Sequence, residues 1–316
     1  MRTAKINKSV LQKLVIIGIL VVIVIALSLL SKQFLTAANF YNVAVQVALV
    51  IIVGCPITLL MISGNLDLSV GGTIAVTGIL FAKFATWGIP LWMSALMACL
   101  IGALVGYING VLVVHLKITS VIATLGLMYV TRGLAYIFSD GKNINAGLPT
   151  NFDRLGRMFI GPVPLALIIF IVIVAIFYFV ESKTVFGKYS FAIGGNRTAA
   201  ELSGIDIGRI TLLLFVLVGF LAGFSGVLLG SRLGVGQPNV GVGFEFDIIV
   251  AVILGGTSLA GGKGSILGMV IGAFIVGFLA NGLNLMGIAS FWQSVIKGIV
   301  LVGAVVLDRL IKEKIK

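Results

Sequence analysis

Apolar residues run along this chain in long, nearly unbroken blocks separated by short polar breaks, and not in the narrow stripe of a surface helix. Blocks of about 17 to 25 residues are what a helix needs to cross roughly 30 Å of hydrocarbon. They recur near 14 to 30, 42 to 62, 71 to 87, 91 to 114, 120 to 138, 162 to 180, 210 to 231, 247 to 259, 264 to 285 and 291 to 307. The pattern predicts an all-α, polytopic transmembrane helical bundle of about ten spans, forming one domain over 1–316. The third and eighth blocks are short or broken by glycine. Inside a bilayer, broken backbone is tolerated only where protein or a cavity surrounds it, so these two are the expected borders of a pathway.

Two parts of the pattern resemble each other. Gly106 to Gly110 reads GYING and Gly277 to Gly282 reads GFLANG; each closes a glycine-rich block and is followed by a serine, Ser120 or Ser290, that opens another. Leu66-Asp67-Leu68-Ser69-Val70 likewise resembles Phe246-Asp247-Ile248-Ile249-Val250. An offset of about 170 to 180 residues contains five blocks, an odd number, so duplicated halves near 42–138 and 210–307 would lie in the membrane in opposite orientations. Chance similarity among low-complexity apolar helices is the competing reading. Ordered glycines (Gly219 and Gly223, Gly226 and Gly230, and Gly264, Gly268 and Gly272) predict close helix packing whatever the function.

Composition sharpens the class. Of 316 residues 59% are hydrophobic and 10% charged, with mean hydropathy +1.21, which excludes an ordinary soluble domain. The net charge of +12 is topology information and not a nucleic-acid signal, because the basic residues sit in loops and tails. Placing both termini in the cytoplasm puts fourteen Lys and Arg on that side and five outside. The basic N-terminal tail ahead of Leu14 is expected to lead into an uncleaved first helix. The expected location is a cell membrane, with lipid as the surrounding medium.

No catalytic constellation is visible. His115 stands alone, Cys55 and Cys99 lie in apolar blocks, and no metal site is expected. The segment GGTSLAGGKGS, Gly255 to Ser265, lacks phosphate-loop spacing, since Gly262-Lys263 is followed by Gly264; ATP is not expected to bind this chain. Three acids near membrane depth stand out, because a carboxylate there costs about 2.5 to 3.5 kcal/mol or more and faces a cavity or a partner. Asp67 lies in SGNLDLSVGG, and Glu245 and Asp247 in GQPNVGVGFEFD. They either line the pathway or cap helix N-termini, and capping is the favoured reading for Asp67 and Asp247. Asn65, Asp67, Ser69, Gln237, Pro238, Glu245 and Asp247 are the candidate pathway residues. The polar loop from Glu181 to Arg209 contains a helix-like core, Asn196 to Leu202, that reads as a solvated connector or as a docking element.

Four segments together resemble the ribose-type sugar permeases of ABC importers: SGNLDLSVGG, FGKYSFAIGGNRTAAELSGI, QPNVGVGFEFDIIVAVILGGTSLAGGKGS and NGLNLMGIASFWQSVIKGIV. The likeness runs from about residue 35 to 310. It departs at Ser63-Gly64-Asn65-Leu66-Asp67, where such permeases commonly read GGIDLSVG, and this leaves the substrate open. The resemblance implies a homodimer of permease subunits, a cytosolic ATPase that uses ATP and Mg, and an extracytoplasmic sugar-binding protein. It also implies that Gly187, Gly194, Gly195, Asn196, Arg197, Ala199, Ala200 and Glu201 belong to an ATPase-coupling element, with Ala199 and Ala200 presenting a small surface to a groove. A secondary transporter of a small polar solute is the alternative, and it would need an ion site. A membrane enzyme would need clustered His, Cys or paired carboxylates.

Overall fold

The computed structural model describes residues 8–313. Thirteen helices carry the described chain: α1 Lys8–Leu30, α2 Ala37–Ile62, α3 Val70–Thr86, α4 Leu91–Val114, α5 Ser120–Phe138, α6 Arg154–Arg157, α7 Leu165–Lys183, α8 Val185–Gly195, α9 Arg197–Leu202, α10 Ile207–Leu233, α11 Phe244–Leu254, α12 Ile266–Leu285 and α13 Ser290–Glu313. The only strands among the described residues are a two-residue hairpin, β1 Phe159–Ile160 with β2 Val163–Pro164, before α7. Each expected apolar block overlaps a helix.

Among the described residues six helices, α2, α4, α5, α7, α10 and α12, are long and apolar enough to cross a membrane. The protein is therefore a multi-pass, all-α membrane protein. Of the other four expected blocks, two form short helices. Helix α3 has 17 residues and α11 only 11, and at about 1.5 Å per residue α11 reaches roughly half of a 30 Å hydrocarbon layer.

Helix α2 is buried along almost its whole length and carries much of the main core. It packs against α7, α10, α11 and α12, while α10 packs against α2, α3 and α4. Helix α4 crosses α10 with the two backbones in contact: a Cβ on Gly102 would overlap the Gly219 carbonyl, and one on Gly219 the Gly102 carbonyl. Lipid gives helices no hydrophobic reason to associate, so close backbone approach is what holds this pair. Buried hydroxyls in α3 satisfy themselves locally: Thr73 donates to the Ser69 carbonyl (3.0 Å) and Thr77 to that of Thr73 (2.7 Å).

Candidate functional site

The chain breaks between α2 and α3 and again between α10 and α11, and the two breaks converge. After α2, residues 63–69 leave the helical ladder, so their amides need outside partners. Leu66 N–H donates to Ser120 Oγ (3.2 Å) and Leu68 N–H to Thr124 Oγ1 (3.1 Å), both on α5. Asp67 accepts from the Ser69 amide (2.8 Å) and the Ser69 hydroxyl (2.6 Å), and Asn109 of α4 donates to Ser69 Oγ (2.8 Å), its Nδ2 lying 3.5 Å from Asp67 Oδ2. All three residues are buried. Asn109 Oδ1 has no partner among the described residues.

The second break, 234–243, brings Glu245 to the same place. Helix α11 opens at Gly243, whose φ of +78° suits glycine, and Glu245 lies in its first turn, where unpaired amides and the helix dipole favour an acid. Glu245 is buried, and its Oε2 has no hydrogen-bond partner among the described residues. A Cβ on Gly71, in the first turn of α3, would overlap that oxygen and lie 2.5 Å from the Gly241 carbonyl oxygen. On the adjacent side, a Cβ on Gly72 would overlap Thr131 Oγ1 and come 2.7 Å from the Met128 carbonyl oxygen. The Gly71-Gly72 pair is what lets the start of α3 slot between α11 and α5. Arg132 of α5 closes the arrangement by donating to the Pro238 carbonyl (3.3 Å) and to that of Val240.

The expected pathway residues therefore divide. Asp67 and Ser69 stand just before the first turn of α3 and Glu245 in the first turn of α11, and the two turns meet where Gly71 touches Glu245. Asn65 is half-buried on the approach, with Nδ2 3.4 Å from Ser63 Oγ. Pro238 is buried and offers its carbonyl to Arg132, and Gln237 contributes its carbonyl to the Val240 amide (3.4 Å). Asp247 lies elsewhere, paired with Lys297 of α13 at 2.8 Å. Neither expected cap has cap geometry: Asp247 lies inside helix α11, and Asp67 sits two residues before Ser69, the residue at the N-cap of α3. Asn109 and Arg132 were not anticipated, although a polar side chain inside an apolar block is itself a signal.

The second candidate region is α8–α9. Thr184 caps α8 by accepting from the Gly187 amide (3.2 Å), and Asn196 caps α9 by accepting from the Ala199 amide (3.0 Å). Gly195, Asn196, Arg197, Ala199 and Glu201 are exposed, and Leu202 is 85% exposed. Ala200 is not: at 4% exposure it packs with Ile193 and Ile207 in a small core of the segment itself. The expectation that Ala200 offers itself to a partner's groove is corrected. Gly187 and Gly194 are buried or half-buried against backbone, whereas Gly195 faces open space.

The family model described as "Branched-chain amino acid transport system / permease component" matches residues 39–305. The chain belongs to this permease family. This permease is 41% identical over 302 residues to the Ribose import permease protein RbsC of Bacillus subtilis, covering 95% of this chain and 94% of the relative. It is 38% identical over 294 residues to the protein of the same name in Escherichia coli, covering 92% and 91%. Against the L-arabinose transport system permease protein AraH of Escherichia coli it is 36% identical over 297 residues, covering 93% and 89%. No solved structure matches it. It is a ribose-type ABC permease, a transport component and not an enzyme.

Proposed function

We propose that this permease carries a monosaccharide, ribose first among the candidates, past the junction of α3 and α11, in an importer driven by a separate cytosolic ATPase and fed by an extracytoplasmic sugar-binding protein. The observation that carries the proposal is the convergence of the two broken segments: Asp67, Ser69, Asn109 and Glu245 present hydrogen-bonding groups well inside the helices' length, suited to sugar hydroxyls. Relatives named for ribose and arabinose support the substrate class.

The pattern of apolar blocks and basic loops supports ten membrane segments with both termini in the cytoplasm, α3 and α11 being partial spans completed by their breaks. It also supports two inverted halves, α2–α5 and α10–α13. Exchanging the halves maps the packing of α10 on α3 and α4 onto that of α2 on α11 and α12, and α3 on α5 onto α11 on α13. A two-fold axis in the membrane plane relating such halves would pass where α3 meets α11. A second copy of the chain completes the transport unit, and the exposed face of α8–α9 seats in the ATPase. No other described region offers a capped, exposed helix pair of this kind.

Reconstitution tests the proposal. Proteoliposomes holding the permease, its ATPase and its binding protein are expected to accumulate labelled ribose only with ATP inside the ATPase compartment. Uptake by the permease alone, driven by an ion gradient, would overturn it.

A further inference from the structure

Three separate stretches of backbone meet at the end of α8 without a side chain between them. Gly262 N–H donates to the Ile62 carbonyl at 2.8 Å, joining the last residue of α2 to the turn between α11 and α12. Gly194 lies on both: a Cβ there would overlap the Ile62 carbonyl oxygen and come 2.5 Å from the Gly262 nitrogen. A Cβ on Gly261 would lie 3.0 Å from Gly194 Cα, and one on Gly262 would lie 2.9 Å from Gly195 Cα. Gly261 and Gly262 hold φ of +81° and +72°, a conformation other residues rarely adopt, and this turns the 258–264 segment into the contact.

Ile62 leads directly to one half of the site, and Gly262 reaches the other half along the length of α11. Ile62 is followed by the 63–69 break with Asp67 and Ser69, and then by α3. Gly262 closes the turn that follows α11, the helix that carries Glu245. A third tie secures the arrangement, because the Ile266 amide at the start of α12 donates to both Glu181 oxygens (3.2 Å each), at the end of α7 just before α8. Glu181 and Gly187 also set the corner into α8, since a Cβ on Gly187 would lie 2.6 Å from the Glu181 carbonyl oxygen.

We propose that Gly194, Ile62 and Gly262 form a backbone joint through which displacement of α8 moves both broken segments together, opening or closing the α3–α11 junction as one event. Long side chains between α8 and the core would absorb a displacement by changing rotamer; touching backbones in a close-packed interior pass it on. The joint sits behind the exposed face of α8–α9. Gly194 turns inward to Ile62, while Gly195, the next residue, has nothing within 4 Å of its Cβ position. These are positioning residues: they touch no sugar and act on the residues that would. The inference rests on the reading that α8–α9 seats in an ATPase, and its test separates the two ideas.

The experiment uses the assembled importer in proteoliposomes, measuring ATPase co-purification, ATP hydrolysis, and labelled ribose taken up per ATP hydrolysed. Gly194→Ala is expected to assemble with the ATPase and hydrolyse ATP while ribose moved per ATP falls about tenfold, within the range that coupling between sites ordinarily spans. Gly126→Ala on α5, with open space around its Cβ position and outside both the joint and the docking face, keeps the wild-type ratio, whereas Gly195→Trp loses the ATPase. Hydrogen exchange on the wild-type complex needs no variant to fold: on ATP binding, protection in 63–69 and in 234–243 changes together with that in 185–195. A wild-type ratio in Gly194→Ala, or exchange in which either segment ignores ATP while 185–195 responds, overturns the joint alone. A wild-type permease that binds no ATPase overturns the coupling reading and the joint with it.

Discussion

Gly71 lies directly against Glu245, so the first turn of α3 and the first turn of α11 touch only because residue 71 has no side chain. The contact joins two helices that each begin well inside the bundle, and it places a buried carboxylate at the start of both α11 and the junction.

Gly71→Ala inserts a methyl where Glu245 Oε2 sits. Overpacking of this kind costs about 1 to 3 kcal/mol and displaces whichever partner yields more easily. Ribose uptake, measured at matched membrane expression, is expected to fall about tenfold, and Glu245→Ala in the same chain recovers part of the lost thermal stability, but not the uptake, by vacating the space. If Gly71→Ala transports normally, the two N-termini do not need to touch.

Asn109 holds the Asp67–Ser69 pair from α4. Replacing it with Leu leaves Ser69 Oγ without its donor in a fully buried place, at a cost of about 1 to 3 kcal/mol. The purified variant should unfold at a lower temperature in detergent than wild type, with a larger drop in uptake than in membrane insertion. Unchanged stability and unchanged uptake would show that the cluster is dispensable.

The Asp247–Lys297 pair ties α11 to α13. Lys297→Met leaves Asp247 without its cation beside apolar neighbours. Because the Lys297 side chain is 36% exposed, the expected loss is about 1 to 3 kcal/mol, below the 3 to 5 kcal/mol of a fully buried pair. Asp247→Asn added to Lys297→Met should restore much of the stability in thermal denaturation. A double variant as unstable as the sum of the two single changes would mean that the pair does not interact.

Much of the helical plan was legible because a block of lipid-spanning length is a strong signal, and the breaks at SGNLDLSVGG and GQPNVGVGFEFD stood out against it. Block eight was misplaced, expected at 247–259 and observed as Phe244–Leu254. Glu245 read as lying outside an apolar helix, yet a helix start accepts an acid, and Gly255-Gly256 end the helix early. Asn109 sat in plain view in GYING but read as part of a packing motif, because periodicity does not say which neighbour a buried amide meets. Ala200 read as a surface residue, since a short polar loop gives no hint that it keeps a core of its own. The helix-like core from Asn196 to Leu202, by contrast, was legible, and in the structure Asn196 caps α9.

Topology offers an independent check. Single-cysteine labels at the exposed positions Asn145 and Leu202 should report opposite sides of the membrane to an impermeant reagent. Both on one side would remove the proposed count of segments between them.

The most direct test of the central claim places a cysteine at Ser69, with Cys55 and Cys99 replaced by alanine, in the importer assembled with its ATPase and binding protein. During ATP turnover a small water-soluble thiol reagent should label Ser69→Cys, and ribose delivered by the binding protein should slow that labelling several-fold while leaving a cysteine at the exposed Leu202 position unaffected. Labelling at Ser69→Cys that is absent throughout turnover, or that proceeds at the same rate with and without ribose, would contradict a sugar pathway at the α3–α11 junction.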